Sequence, residues 1–185
     1  DWLLKHPVGD GGQWTGVVDI IEKYGVVPAS AMPESQNSEN TRYMSRFLRR
    51  KLREDALRLR QMYAEGSDTY VLRAEKIIML GDIYRILVLC LGEPPSEFKW
   101  QYEDKDGNIS EMRTYSPHTF YDEFVGVDLR EYVMFMNDPT REYYKLYEIE
   151  YDRHMQEGGN WKYINLPADE IKEFARASIL ANEAM

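Results

Sequence analysis

Nucleophilic or metal-assisted chemistry needs thiol, imidazole or carboxylate groups held close together. This chain offers one cysteine, Cys90, and three histidines, His6, His118 and His154. Cys90 falls in the apolar run Ile86-Leu87-Val88-Leu89-Cys90-Leu91 with no imidazole beside it. A reactive thiol sits in a polar, cationic setting, so this one reads as a small core hydrophobe. His6 lies in a polar stretch, His118 in the first turn of a short helix and His154 ahead of Gly158-Gly159. No pair of them has metal-ligand spacing, so all three read as surface residues and no metal or cofactor is expected.

Other local patterns carry less. Asp104-Lys105-Asp106-Gly107-Asn108 resembles the start of a calcium loop. That template needs Gly at its sixth position and Glu at its twelfth, whereas here Gly107 is fourth and Tyr115 twelfth, so a hairpin turn is expected. Asn108-Ile109-Ser110 is a formal glycosylation sequon that matters only in an exported protein. Gly11-Gly12 and Gly158-Gly159 lack the spacing and the following Lys-Ser/Thr of a phosphate loop. Residues 42–60 hold eight Arg or Lys against two acids, Glu54 and Asp55. Such a face suits phosphate or an acidic partner surface. The net charge of −9 disfavours nucleic acid, leaving a helical arm for self-association as the better reading. Gly9-Asp10-Gly11-Gly12-Gln13-Trp14 is the best candidate for binding. Taken alone, it reads as a turn before a helix, with Asp10 as cap.

These groups are positioned by elements of both kinds. Trp14, Val17, Val18, Ile21 and Tyr24 form one helical stripe, expected buried and closed by Gly25. Residues 29–38 read as an ordered loop. A long helix over 39–64 follows, capped by Asn37 or Ser38, with Met44, Phe47, Leu48, Leu52, Ala56, Leu59 and Tyr63 on one side. Glu65-Gly66-Ser67-Asp68 turns the chain into a second helix over 69–91, apolar at Val71, Ala74, Ile77, Ile78, Ile83, Tyr84, Leu87 and Val88. Two helices of similar length on a short turn predict an antiparallel hairpin. Residues 98–102 and 109–115 read as a β-hairpin, Ser116-Pro117 as the start of a short helix, and 132–136, 143–151 and 161–166 as strands. Pro167-Ala168-Asp169-Glu170 opens a last helix running toward the chain end without a stop signal. The fold class is therefore α+β, divided into 1–36, 37–95 and 96–185.

Composition sets the bounds. At 185 residues, 43% hydrophobic and 30% charged, the chain has the make-up of a globular domain. No apolar run is long enough to span a bilayer, and no signal peptide is visible. A single cysteine excludes an intrachain disulfide framework and favours a reducing compartment. The chain lacks an initial Met and a terminal helix stop, so both ends read as cut.

Taken with its surroundings, the glycine pair is more specific. Asp1-Trp2-Leu3-Leu4-Lys5-His6-Pro7, then Asp10-Gly11-Gly12-Gln13-Trp14, Val17-Val18, Glu22-Lys23-Tyr24-Gly25-Val26-Val27-Pro28 and Asn37-Ser38-Glu39-Asn40-Thr41 strongly resemble the bleomycin hydrolase / aminopeptidase C family of papain-like cysteine peptidases. The similarity runs on through Leu91-Gly92-Glu93-Pro94-Pro95, Tyr102-Glu103-Asp104-Lys105-Asp106, Tyr147-Glu148-Ile149-Glu150-Tyr151 and Asn165-Leu166-Pro167. The resemblance implies a partial papain-like peptidase fold, a cytoplasmic aminopeptidase, peptide substrates and a homohexamer built through the helical hairpin. It makes Gly11 and Gly12 the backbone-lined wall of the substrate cleft, with Gln13 and Trp14 as neighbouring subsite walls. The family's catalytic Cys lies upstream of this glycine turn and its His and Asn downstream of the last helix. None is present here, so no catalytic residue is assigned and the segment is expected to be inactive by itself. A non-catalytic assembly or binding module derived from that family is the alternative, and binding of nucleic acid through Arg42 to Arg60 a weaker third.

Overall fold

The computed structural model describes residues 2–9, 11–150, 153 and 155–182, without the side chains of Trp2 and Leu3. The expected cap Asp10, His154 and residues 183–185 lie outside the described residues. Seven helices are described: α1 (Trp2–Lys5), α2 (Trp14–Tyr24), α3 (Gln36–Glu39), α4 (Arg42–Ala64), α5 (Thr69–Leu91), α6 (Pro117–Phe124) and α7 (Ala168–Leu180). The strands are β1 (Phe98–Trp100), β2 (Arg113–Tyr115), β3 (Met134–Met136), β4 (Lys145–Ile149) and β5 (Trp161–Asn165). They gather into two compact units, residues 1–10 with 27–117 and residues 11–26 with 118–185.

The first unit is built on the α4–α5 hairpin. Gly66 at φ +90° makes the turn that a side chain would resist, and Asp68 caps α5 by accepting from the Val71 N–H at 2.9 Å. Ion pairs Lys51–Asp82 (3.2 Å) and Arg58–Glu75 (2.7 Å) match early residues of one helix to late residues of the other, as antiparallel helices require. Met44, Leu48 and Met79 are buried between them. Asp55 is buried beside them, one oxygen accepting from Lys51 Nζ at 3.0 Å. The expected apolar faces are only partly covered: Phe47 and Tyr63 on α4, and Ile77 and Ile78 on α5, are exposed. A helix that is apolar on several sides cannot bury them all against one neighbour.

The start of α4 differs from expectation. Ser35 caps α3 instead, its hydroxyl accepting from the Ser38 N–H (3.1 Å) while the Ser38 hydroxyl accepts from the Ser35 N–H (2.8 Å). This reciprocal pair starts a separate short helix that ends at Asn40, so the long helix begins at Arg42 rather than Glu39. Arg53 on α4 donates to the Leu4 (2.7 Å) and Lys5 (2.9 Å) carbonyls at the end of α1.

The β-hairpin forms as expected, with Phe98 opposite Tyr115 and Trp100 opposite Arg113. Its turn is held by the Asp104 carboxylate, which accepts from the Asp106 and Asn108 N–H groups and the Asn108 amide at 2.8–2.9 Å. These bonds, that of the Asn108 side chain foremost, hold the Asp104 carboxyl below its usual pKa range.

In the second unit the sheet order is β3-β5-β4. The β4–β5 pair is antiparallel, Tyr147 opposite Tyr163, and β3 joins the other edge of β5 in parallel. At the end of β5, Asn165 is fully buried (0% exposed). Its side-chain oxygen accepts from the Asp138 N–H at 2.8 Å, and its amide lies 3.0–3.2 Å from the carbonyls of Asp138, Arg141 and Glu142. One amide thus satisfies the turn that carries the chain from β3 to β4. Pro167 precedes α7, and Asp169 and Glu170 stand in its first turn. The helix stops at Leu180, with Asn182 at φ +58°, short of the continuous pattern expected toward the chain end. Among the described residues no helix is long and apolar enough to cross a membrane.

Truncating Asn165 removes the acceptor of the Asp138 N–H and the donor to the Arg141 carbonyl, each loss costing on the order of 1–3 kcal/mol. Asn165→Ala is expected to lower the urea midpoint by an amount equivalent to about 3 kcal/mol at unchanged slope, read by circular dichroism. An unchanged midpoint would show that water replaces the lost partners.

Candidate functional site

The Gly11-Gly12 segment leads into α2 outside any helix or strand. Gln13 is the N-cap residue in extended conformation (φ −114°, ψ 160°), and its carbonyl accepts from the N–H groups of Gly16 (3.0 Å) and Val17 (3.3 Å). Its side chain does not cap the helix. Gly11, Gly12 and Gln13 are exposed, and a Cβ added to Gly11 would meet no atom within 4 Å. The glycine backbone is therefore open to an approaching chain.

Trp14 opens α2 with its ring tilted 59° against Tyr132, centroids 5.9 Å apart. It helps line a cleft of about 500 Å³ that also takes in Val18, Tyr132, Met134, Leu146 and Lys162. The structure brings Trp14 to this cleft, while Gly11, Gly12 and Gln13 lie outside its lining. The α2 stripe is less buried than expected: Val18 is covered, but Val17 (43%) and Tyr24 (59%) are exposed, since the sheet side of the unit reaches only part of the helix.

Three polar residues of α2 fix the cleft walls. Asp19 accepts from the Gly159 N–H at 3.0 Å. Lys23 pairs with Glu157 at 3.4 Å. Glu22 takes both forks of the Arg130 guanidinium at 2.5 Å, tying α2 to the turn before β3. Spaced i, i+3 and i+4, the three share one helix face. Gly158 is buried in the same contact, where an added Cβ would stand 2.3 Å from Asp19 Oδ2 and 3.1 Å from Met155 Cγ. The sequence reading set Gly158-Gly159 aside as a failed phosphate loop and passed over Asp19 and Arg130. The available signal was the acid–acid–lysine row on a helix whose other face is apolar, together with a glycine pair that had no turn to explain it.

The hydrogen-bonded Arg130 guanidinium holds the Glu22 carboxyl below its ordinary pKa, against the opposing effect of burial. The remaining candidates are not among the residues that line this cleft. Cys90 is half-buried at the end of α5, and its carbonyl accepts from the Ser35 hydroxyl at 2.9 Å. His118 is exposed in the first turn of α6, and His6 is exposed. Among the described residues no cluster of three or more His, Cys, Asp or Glu could hold a metal ion.

A family profile described as the peptidase C1-like family matches residues 1–185. Aminopeptidase C of Streptococcus thermophilus is 40% identical over 186 residues, covering 100% of this chain and 42% of the relative. Bleomycin hydrolase of Homo sapiens is 39% identical over 188 residues, covering 100% of this chain and 41% of the relative. The crystal structure of PepW from Lactobacillus rhamnosis matches with a TM-score of 0.91 at 37% identity, covering 98% of this chain and 41% of that one. The chain thus spans about two-fifths of the length of these relatives.

Gly158→Ala pushes the Asp19 carboxylate off the Gly159 N–H and is expected to cost about 1–2 kcal/mol in chemical denaturation. In an Asp19→Ala background most of that cost disappears, and equal costs in the two backgrounds would refute the coupling. The Glu22 pair has a defined pH window. With its folded pKa below the unfolded value of about 4.3, it stabilises above that value and fades as acid protonates Glu22. The thermal-midpoint gap between the parent and Glu22→Gln should be widest near about pH 7 and close toward about pH 3. A gap independent of pH would mean that the pair acts through packing alone.

Proposed function

The chain belongs to the peptidase C1-like family, and from that membership we propose that it is a segment of a cysteine aminopeptidase that removes N-terminal residues from peptides. The observation that carries this is the full-length match, with an aminopeptidase C 40% identical across all of this chain. Within the enzyme, Gly11 and Gly12 form a stretch of the substrate wall, where bare backbone can hydrogen-bond to an extended peptide. Gln13 and Trp14 flank it as subsite walls. Support comes from the exposure of the glycine backbone and from the seating of Trp14 in the adjoining cleft.

The catalytic thiol is assigned to sequence beyond this segment. Cys90, the single thiol, is half-buried on α5. Acyl transfer by a thiol needs a nucleophile within hydrogen-bond reach of its base, and a group fixed in the wall of a helical hairpin does not meet that need. The segment therefore holds and orients peptide but does not cleave it. The α4–α5 hairpin, within residues 37–95, serves as the arm of a homo-oligomer, a hexamer by resemblance. Residues 1–36 and 96–185 carry the wall and its supporting sheet. The enzyme acts in the cytoplasm and requires neither metal nor cofactor.

The test compares the 185-residue chain with the complete gene product on fluorogenic aminoacyl amides. The chain is expected to give no turnover, and the complete product is expected to turn over and to lose activity to iodoacetamide. Thiol-dependent turnover by the chain would overturn its inactivity. Alkylation-resistant turnover by the complete product would overturn the cysteine-peptidase reading.

A further inference from the structure

Arg53 on α4 reaches back 49 and 48 residues along the sequence to the end of α1. Its Nε donates to the Leu4 carbonyl at 2.7 Å and its Nη2 to the Lys5 carbonyl at 2.9 Å. These are the last carbonyls of a four-residue helix, and carbonyls at a helix end have no intrahelical donor. A single turn is too short to hold itself, so α1 keeps its place through groups outside it. Two donors of one planar guanidinium on two successive carbonyls fix both where the chain leaves α1 and in which direction.

The chain that leaves is His6-Pro7-Val8-Gly9-Asp10, which leads directly to Gly11 and Gly12. None of its described residues is in a helix or strand. A Cβ added at Gly9 or Gly11 would meet nothing within 4 Å, so the backbone at these points is not closely packed. Pro7 fixes its own φ near about −65° and biases His6 toward extended backbone, which stiffens the start of the run. An anchor at Lys5 is therefore passed along the chain instead of being lost in a floppy tether.

We infer that Arg53 is a positioning residue for the substrate wall of Gly11 and Gly12, acting through the backbone that precedes the glycines. The inference rests on the peptidase reading above and adds to it a side chain from the helical hairpin. A wall of bare backbone meets a bound peptide in the ground state and the transition state alike. Loosening it therefore weakens binding and spares the chemical step.

The test uses the complete gene product and a peptide substrate with a free N-terminus. Arg53→Ala is expected to raise KM at least about fivefold while kcat stays within about twofold. Arg53→Lys keeps the charge without the fork and should recover part of the loss. Arg50→Ala, removing an exposed arginine three residues earlier on α4, should behave as the parent. Hydrogen exchange of a fragment spanning residues 4–13 is expected to quicken at least about threefold in Arg53→Ala, with α4 and the thermal midpoint unchanged. Parental KM and exchange in Arg53→Ala overturn the inference. A fall in kcat together with a lowered thermal midpoint marks a general loss of fold and overturns it too. An equal rise in KM from Arg50→Ala assigns the effect to the charge of α4 and overturns the clamp. Faster exchange in a product without peptidase activity keeps the clamp but overturns the peptidase reading, and the wall with it.

Discussion

The contact on which the second unit depends is that of the Asp19 carboxylate with the backbone at Gly158 and Gly159. A carboxylate accepts best from an N–H that it can approach closely, and a side chain at residue 158 would stand in the way. Glycine there is a requirement of approach rather than of backbone angle. Once Asp19 is seated, Glu22 one turn on meets Arg130, and Lys23 meets Glu157, so both loops flanking the cleft are registered to α2. Trp14, five residues before Asp19, is thereby aimed at Tyr132. The exposed glycine backbone at the head of α2 inherits its position from these contacts further along the helix. The substrate wall proposed for Gly11 and Gly12 thus draws its support from contacts that Asp19, Glu22 and Lys23 make further along α2.

How much of this was legible depended on range. The α5 boundaries, the Gly66 turn and the start of α6 follow from local chemistry and stand where the residues put them, while the β-hairpin forms with strands shorter than the expected 98–102 and 109–115. Errors arose where two local signals competed. Ser35 and Ser38 offered a reciprocal cap that outcompeted Asn37 or Ser38 as a start for the long helix, so α3 and α4 are separate. The β3–β5 pairing joins strands that are not consecutive in the chain, which alternation of side chains does not reveal. Asn165 looked like an ordinary strand end. That it holds the turn between β3 and β4 could be known only once β5 was found between its two neighbours. The glycine pair and Trp14 were identified through resemblance to a family, whereas Asp19, Gly158 and Arg130 emerged only from three-dimensional contact.

The α4–α5 hairpin separates two uses of charge. On its inner side, Lys51 and Arg58 neutralise acids across the seam, and Lys51 is shared between Asp55 and Asp82. The hydrogen bond to Asp55 is the main influence raising the Lys51 pKa, so this ammonium stays charged across the working range. Ion pairs so near solvent contribute little, a median of about 0–1 kcal/mol, and the hairpin is held chiefly by Met44, Leu48 and Met79 with the apolar groove beside them. On its outer side, no acid of the described residues answers Arg42, Arg46, Arg49 or Arg50. Salt must then act unequally on the two sides. It screens exposed guanidinia and whatever they meet, but leaves burial of the seam residues untouched or slightly strengthened. A hairpin built this way keeps its own shape across ionic strength, because burial rather than charge holds its seam.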